Sequence, residues 1–290
     1  MSAAEPVTAG SGTTGPDSRL PAAAQRRRMS WWQPRTWVTA LLPFAVGIAI
    51  WQALSLADIW PRVLFPSPLE VAQAFVTDTL SGVLLVNLAV SLKSLLLGFI
   101  AGCVVAIPLG YLMGLHKVSR DFFDPLVNLL QAIPGLAWIP FAILWFGLGE
   151  GAVVFIIVMS VFFPVLHNLL TGIRMVQPVL VEAVQTLGAG RAAVIRHVIF
   201  PATLPNLMTG IRLGIAFGFR SLVGGEMIAS TDGLGYAIFN AQQYFQSARI
   251  VVGMLAIGIV WLIMDRFLLR PIELRTTMRW GLIRDGLDKS

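Results

Sequence analysis

Residues 94–115 read SLLLGFIAGCVVAIPLGYLMGL, 22 residues without a charge. A helix rises 1.5 Å per residue, so about 20 apolar residues cross the roughly 30 Å of bilayer hydrocarbon. This stretch is expected to be a transmembrane helix, and it sets the class of the whole chain. The composition agrees. Of 290 residues 56% are hydrophobic and only 12% charged, with a mean hydropathy of +0.77. Soluble domains carry about 25% charge.

Working outward, five further stretches read as spans. Trp37–Leu56 precedes the quoted segment. Leu126–Leu148 follows, interrupted by Pro134 and Pro140, and then Ala152–Leu170. A fifth covers about 207–230 and carries Arg212, Arg220 and Glu226. The last, Ile250–Leu269, is shortened by Asp265 and Arg266. The fold class expected is all-α integral membrane, with six transmembrane helices. Residues 1–35 are rich in small residues and end in basic ones, which predicts a disordered basic tail. Residues 36–270 would form the membrane domain, with a loop at 174–206, and 271–290 a second tail. The first apolar run starts too far from the amino terminus, and runs too long, for a cleaved signal.

The lysines and arginines orient the spans. With the amino terminus inside, the first tail holds Arg19, Arg26, Arg27, Arg28 and Arg35. The second-to-third loop holds Lys117 and Arg120, and the fourth-to-fifth holds Arg174, Arg191 and Arg196. The carboxyl tail holds six more. Only Arg62 and Arg249 fall outside, a split of sixteen to two. Both termini are expected in the cytoplasm. The net charge of +6 is then topogenic, and nucleic acid is excluded as a partner. The single cysteine, Cys103, excludes an intramolecular disulfide. The three histidines are scattered without ligand spacing, so no metal site is expected.

One internal stretch breaks the apolar pattern: VEAVQTLGAGRAAVIRHVIFPATLP, residues 181–205. Leu180, Val184 and Leu187 form a short apolar stripe at helical spacing. Gly188 and Gly190 can end that helix in a left-handed conformation. Residues 192–200 restart a helix, which Pro201 and Pro205 are expected to stop. A hydrophobic stripe on a loop facing water needs cover, from the membrane helices or from another protein.

This segment resembles the EAA loop of permease subunits from ATP-binding-cassette importers, which reads E-A-A, three residues, G, nine residues, I-x-L-P. The matching positions are Glu182, Ala183, Val184, Gly188, Val198, Phe200 and Pro201. Val184, Val198 and Phe200 depart from the pattern, apolar for apolar. The segments PSPLEVAQAF (66–75), QAIPGLAWIPFAILWFGLGEG (131–151) and VGGEMIASTDGLGYAI (223–238) resemble the subfamily that handles nitrate, sulfonates and taurine. The resemblance covers most of 38–270 and implies a type I importer permease fold. It implies that the 181–205 loop docks on cytoplasmic ATPase subunits, that an extracytoplasmic substrate-binding protein delivers the solute, and that two permease copies, identical or homologous, form one pathway through the lipid membrane. The same machine could take another solute, such as a pyrimidine vitamin precursor or an osmolyte. An ion-driven carrier without an ATPase is the alternative of a different class.

What the chain lacks is equally informative. A phosphate-binding loop needs Gly-x-x-x-x-Gly-Lys-Ser/Thr, and the only lysines, Lys93, Lys117 and Lys289, follow Leu92, His116 and Asp288. The chain is therefore expected to bind no cofactor and to be no enzyme, with magnesium-ATP held by the partner ATPase. Glu182 fits attraction to a helix dipole or an interface contact better than catalysis.

For the pathway the candidates are Pro134, Trp138, Pro140, Arg220 and Glu226. Two prolines break the third span midway, and broken helices often line transport routes; a kinked helix packed on its neighbours is the alternative. Trp145 and Phe146 suit an interfacial aromatic belt equally well. Arg220 could attract an anionic solute or pair with an acid. Glu226 stands about 240° from it around the helix, matches the subfamily's glutamate before Gly-Leu-Gly, and fits a structural or gating role. Lys93, placed near the inner end of the second span, is expected to snorkel. Residues 233–235 should form the turn after the fifth span.

Overall fold

The structure, a computed structural model, describes residues 34–57, 59, 61–269 and 271. Nearly all of both expected tails lies outside the described residues. The chain divides into two units, residues 1–50 and 51–290. The described part of the first is most of helix α1, Pro34–Leu56, with Pro43 inside it. No strand occurs among the described residues.

In the second unit, helix α2 (Pro68–Leu80) opens with a capping box. The Ser67 amide donates to Glu70 Oε2 at 2.8 Å, and the Glu70 amide donates to Ser67 Oγ at 3.2 Å. Two otherwise orphaned donors are satisfied reciprocally. Helix α3 spans Val83–Leu115, 33 residues, and so begins eleven residues before the quoted stretch. Its carboxyl end is closed by Arg120, which donates to the carbonyls of Met113 and Gly114 at 3.2 and 3.0 Å.

The expected third span is two helices. Helix α4 (Lys117–Gln131) gives way at Pro134 to a tight turn over Gly135–Trp138, then helix α5 (Ile139–Phe146). The two arms bend by 93°. Pro134 makes this break; Pro140 does not. Pro140 sits in the first turn of α5, where its missing N–H has no partner to lose.

Helix α6 (Glu150–Arg174) forms the axis of the packing, with α3 on one side and helix α9 (Phe200–Ala229) on the other. Gly98, Gly102, Ala106, Gly110 and Gly114 recur every four residues along α3. A Cβ on Gly98 would stand 2.6 Å from Ile157 Cβ, and one on Gly102 would stand 3.0 Å from Val161 Cβ. Gly210, Gly214 and Gly218 do the same from α9, meeting Asn168, Val165 and Val161 at 2.9–3.1 Å. Small residues at this spacing let backbones approach, and van der Waals contact replaces the hydrophobic drive that lipid removes. Ile157, Val161, Val165 and Leu169 of α6 are fully buried between the two stripes.

Helix α10 (Leu234–Gln243) and helix α11 (Ser247–Met264) complete the unit, with Ser247 Oγ donating to the Val63 carbonyl. Among the described residues four helices are long and apolar enough to cross a membrane: Val83–Leu115, Glu150–Arg174, Arg191–Ala229 and Ser247–Phe267. The bent pair makes a fifth if counted as one span, and the apolar part of α1, Leu42–Leu56, is shorter.

Candidate functional site

The loop between α6 and α9 carries helix α7, Pro178–Thr186, and α7 has no buried residue. Val179, Leu180 and Leu187 are 62%, 47% and 86% exposed. Glu182 and Ala183 are exposed and Val184 half-buried. The Glu182 side chain has no hydrogen-bond or ion-pair partner among the described residues. Gly188 ends the helix at φ +87°, with the Ala189 amide returning to the Val184 carbonyl at 3.2 Å. Glycine is required there, because a side chain would strain the left-handed backbone. Gly190 differs from expectation. At φ −71° it is extended and caps helix α8 (Arg191–Val194).

The second arm of the loop also departs from expectation, for Pro201 and Pro205 do not stop it. Helix α8 runs through a wide turn at Ile195–Ile199 straight into α9, a single helical path of 39 residues. The wide turn explains how. The Phe200 amide reaches back to the Ile195 carbonyl, five residues rather than four, which makes room for the Pro201 ring that would otherwise press on the preceding turn. Phe200 stacks on Tyr111 of α3, centroids 6.2 Å apart, and the hydroxyls of Tyr111 and Thr203 lie 3.0 Å apart. Val198 and Pro201 are half-buried. The seven loop positions thus divide: Glu182 to Gly188 stand clear of the bundle, and Val198 to Pro201 belong to the foot of α9.

Among the pathway candidates, Pro134 and Pro140 are exposed and Trp138 is half-buried. Trp138 meets Phe155 of α6 edge-on, and Trp145 and Phe146 pack on the same ring at 5.6 and 5.5 Å. The turn between α4 and α5 also touches α9. Gly135 lies so close to Ser160 Oγ that a Cβ would collide, and Leu136 fills the space where a Gly224 Cβ would stand. Ser160 donates to Ser221 at 2.7 Å beside it. The aromatic residues of the third span are therefore a packed cluster around α6, while the proline break itself is uncovered.

Glu226 and Arg220 face apart, as the helical geometry requires. Glu226 is 1% exposed. Its Oε2 accepts from Ser91 Oγ and from the Gly235 amide, both at 2.9 Å. Ser91 Oγ in turn accepts from the Leu234 amide at 2.9 Å, and the Gly233 amide donates to Asn87 at 3.0 Å. Gly233, at φ +106°, lets the chain turn against the carboxylate. The amino end of α10 is thereby bolted to α9 and α3. Sequence reasoning missed Ser91 and Asn87, which are ordinary polar residues in an apolar run; their four-residue spacing was the available signal.

Two ion pairs were also missed. Lys93, in the third turn of α3, donates to Glu150 at 2.9 Å, and Glu150 opens α6 at the end away from the 175–190 loop. Asp78 of α2 pairs with Arg249 of α11 at 3.2 Å, at the edge of a recess of about 660 Å³ that Asn87, Asp232 and Gln246 also line.

A glycine-clamped helical bundle with a broken span and a detached amphipathic loop defines a multi-span membrane permease. Residues 106–268 match the binding-protein-dependent transport system inner membrane components, and the chain belongs to that family. It is 32% identical over 265 residues to the taurine transport system permease protein of Escherichia coli (strain K12), covering 89% of this chain and 96% of that one. It is 34% identical to the putative aliphatic sulfonates transport permease protein of Bacillus subtilis (strain 168), covering 86% and 90%. Inward-facing structures of the MetNI methionine ABC transporter share the fold, with TM-score 0.54 and 19% identity over 69% of this chain and 99% of that one.

Proposed function

We propose that the chain is the permease subunit of an ATP-driven importer carrying a small anion, of the aliphatic sulfonate, taurine or nitrate-like kind, into the cytoplasm. The observation that carries the reading is α7: an apolar helix without one buried residue, held off the bundle by a left-handed glycine. An exposed apolar face of this kind needs a protein surface, and the importer family supplies one in its ATPase. Two permease copies, each with six spans and cytoplasmic termini, enclose one pathway. A binding protein delivers the solute at the outer face. This chain holds no nucleotide.

Closure of the ATPase pair on ATP moves α7. The displacement enters α6 and the 39-residue helix 191–229, about 58 Å of continuous rod. The wide turn at 195–199, of a kind that recurs at functional sites in helices, takes up part of the motion at the near end. Glu226 passes it to α10 at the far end. The pathway then alternates between facing inward and facing outward.

The test is copurification of the full chain from its host membrane, wild type against Glu182→Arg and Gly188→Val. Wild type should bring down ATPase activity, and both variants should lose it while inserting normally. A wild-type chain that purifies alone, and moves taurine in liposomes without ATP, would replace the importer by an ion-driven carrier.

A further inference from the structure

Arg220 is exposed on a stripe of α9 that includes Leu213, Phe217 and Ile228, themselves 41%, 45% and 58% exposed. Its guanidinium lies 6.0 Å from the centroid of the Phe217 ring, and no carboxylate pairs with it among the described residues. Its depth follows from its neighbours. Arg220 lines a groove of about 480 Å³ with Ile257, Gly258 and Trp261 of α11. Ile257 is ten residues from either end of the membrane-crossing helix Ser247–Phe267, or about 15 Å. The charge is therefore near mid-bilayer, too deep for the side chain to snorkel to a lipid phosphate.

A charge at that depth faces a water-filled cavity or a counter-charge, not lipid. The two acids among the described residues of α9 and the helix that follows α10 are already engaged. Glu226 is closed in by Ser91 and Gly235, and Asp265 is held by Arg212 at 3.1 Å. The broken third span marks the same side independently. Leu136 abuts Gly224, one helical turn from Arg220, and Ile133 and Pro134 beside it are exposed. Non-helical backbone at membrane depth is tolerated only where protein or a water-filled route covers it.

We infer that Arg220, with the groove between α9 and α11 beside it, is an oxyanion-binding station on the transport route. The inference deepens the proposed function by assigning the charged end of the solute to one residue. A guanidinium presents a planar donor fork that suits sulfonate or nitrate oxygens, and the aromatic pair Phe219–Trp261, centroids 5.4 Å apart, walls the groove for a short alkyl tail.

The test uses the assembled importer with Cys103→Ala, which removes the native thiol, and Gly258→Cys in the groove, where a Cβ meets nothing within 4 Å. Ala216→Cys serves as the second position. An anionic methanethiosulfonate should react faster than its cationic counterpart, and Arg220→Gln should reduce that preference about tenfold, the effect of losing one charge-assisted contact. Ethanesulfonate or nitrate should slow the anionic reagent. Taurine uptake should fall about tenfold in Arg220→Gln and less in Arg220→Lys, which keeps the charge but loses the fork. Unreactive thiols at both positions, or no charge preference, overturn the inference. Protection by added phosphatidylglycerol but not by ethanesulfonate assigns the site to lipid and overturns it too. Charge preference and anion protection without ATP-driven uptake of taurine, ethanesulfonate or nitrate uphold the station and sink the importer reading instead.

Discussion

Helices α6 and α7 are neighbours in sequence, separated only by residues 175–177, and they are built on opposite terms. Helix α6 buries Ile157, Val161, Val165 and Leu169 completely between two stripes of small residues. Helix α7 buries nothing. The first helix finds cover for its two packed faces within its own chain. The second is folded but unfinished, and its surround has to come from elsewhere. Changes in α6 and its clamp should therefore act on stability, and changes in α7 on function alone.

The clamp gives the largest expected effect. In Gly98→Leu the new Cβ meets the Ile157 Cβ at 2.6 Å, a branch carbon fixed to backbone that cannot swing away. Overpacking costs about 1–3 kcal/mol or more, and here the clash also parts two helices along their length. We expect the thermal midpoint of the detergent-solubilised protein to collapse, with partial recovery in Gly98→Leu/Ile157→Ala. An unchanged midpoint would break the contrast between the two helices at once.

Next comes the bolt at the far end of α9. Glu226→Ala strips the Gly235 amide and the Ser91 hydroxyl of their acceptor in a buried place. Each unsatisfied group costs about 1–3 kcal/mol, so the midpoint should fall clearly, though less than in the clamp variant. Glu226→Gln keeps one acceptor oxygen at the same reach and should retain most of the stability. Equal loss in both variants would mean that the negative charge, not the hydrogen bonds, holds α10 in place.

The parts that were legible from sequence, and those that were not, follow the same division. The apolar runs announced the spans, because lipid demands length and apolarity of each helix separately. Glu182 and Gly188 announced the loop, because an exposed apolar helix and a left-handed turn leave local signs. What the sequence hid depends on partners far along the chain. The fates of Pro140, Pro201 and Pro205 turned on their position within a turn, which composition does not reveal: Pro140 starts a helix, and a wide turn accommodates Pro201. The bolt joins Ser91 to Glu226 across 135 residues. The four-residue glycine stripe was visible as a pattern, but which helix it would receive was not.

On the side of α7 the predictions turn functional. Gly188→Val places a β-branched residue at φ +87°, a genuine outlier for that side chain with a local cost of about 1–2 kcal/mol. The loop can relax that strain because a Cβ there meets nothing within 4 Å. The melting of the bundle should hardly move, while ATP-coupled uptake should drop about tenfold or more as the helix is re-aimed. A large loss of stability would show that α7 leans on the bundle after all, and the contrast with α6 would narrow.

The smallest effect is expected at the recess where α2 meets α11 through Asp78 and Arg249. The pair is well formed at 3.2 Å, yet the Arg249 side chain is 48% exposed and that of Asp78 12%. Exposed pairs contribute about 0.2–1 kcal/mol. In Arg249→Gln the Asp78 carboxylate keeps access to a recess of about 660 Å³, so water can replace the guanidinium, and the midpoint should shift by about 2 °C or less for a chain of this size. Raising the salt should shrink even that difference, because screening weakens the wild-type pair. A shift of many degrees, insensitive to salt, would mean the recess is dry and closed. The α2–α11 contact would then belong with the glycine clamp, as a place where the chain supplies its own partner.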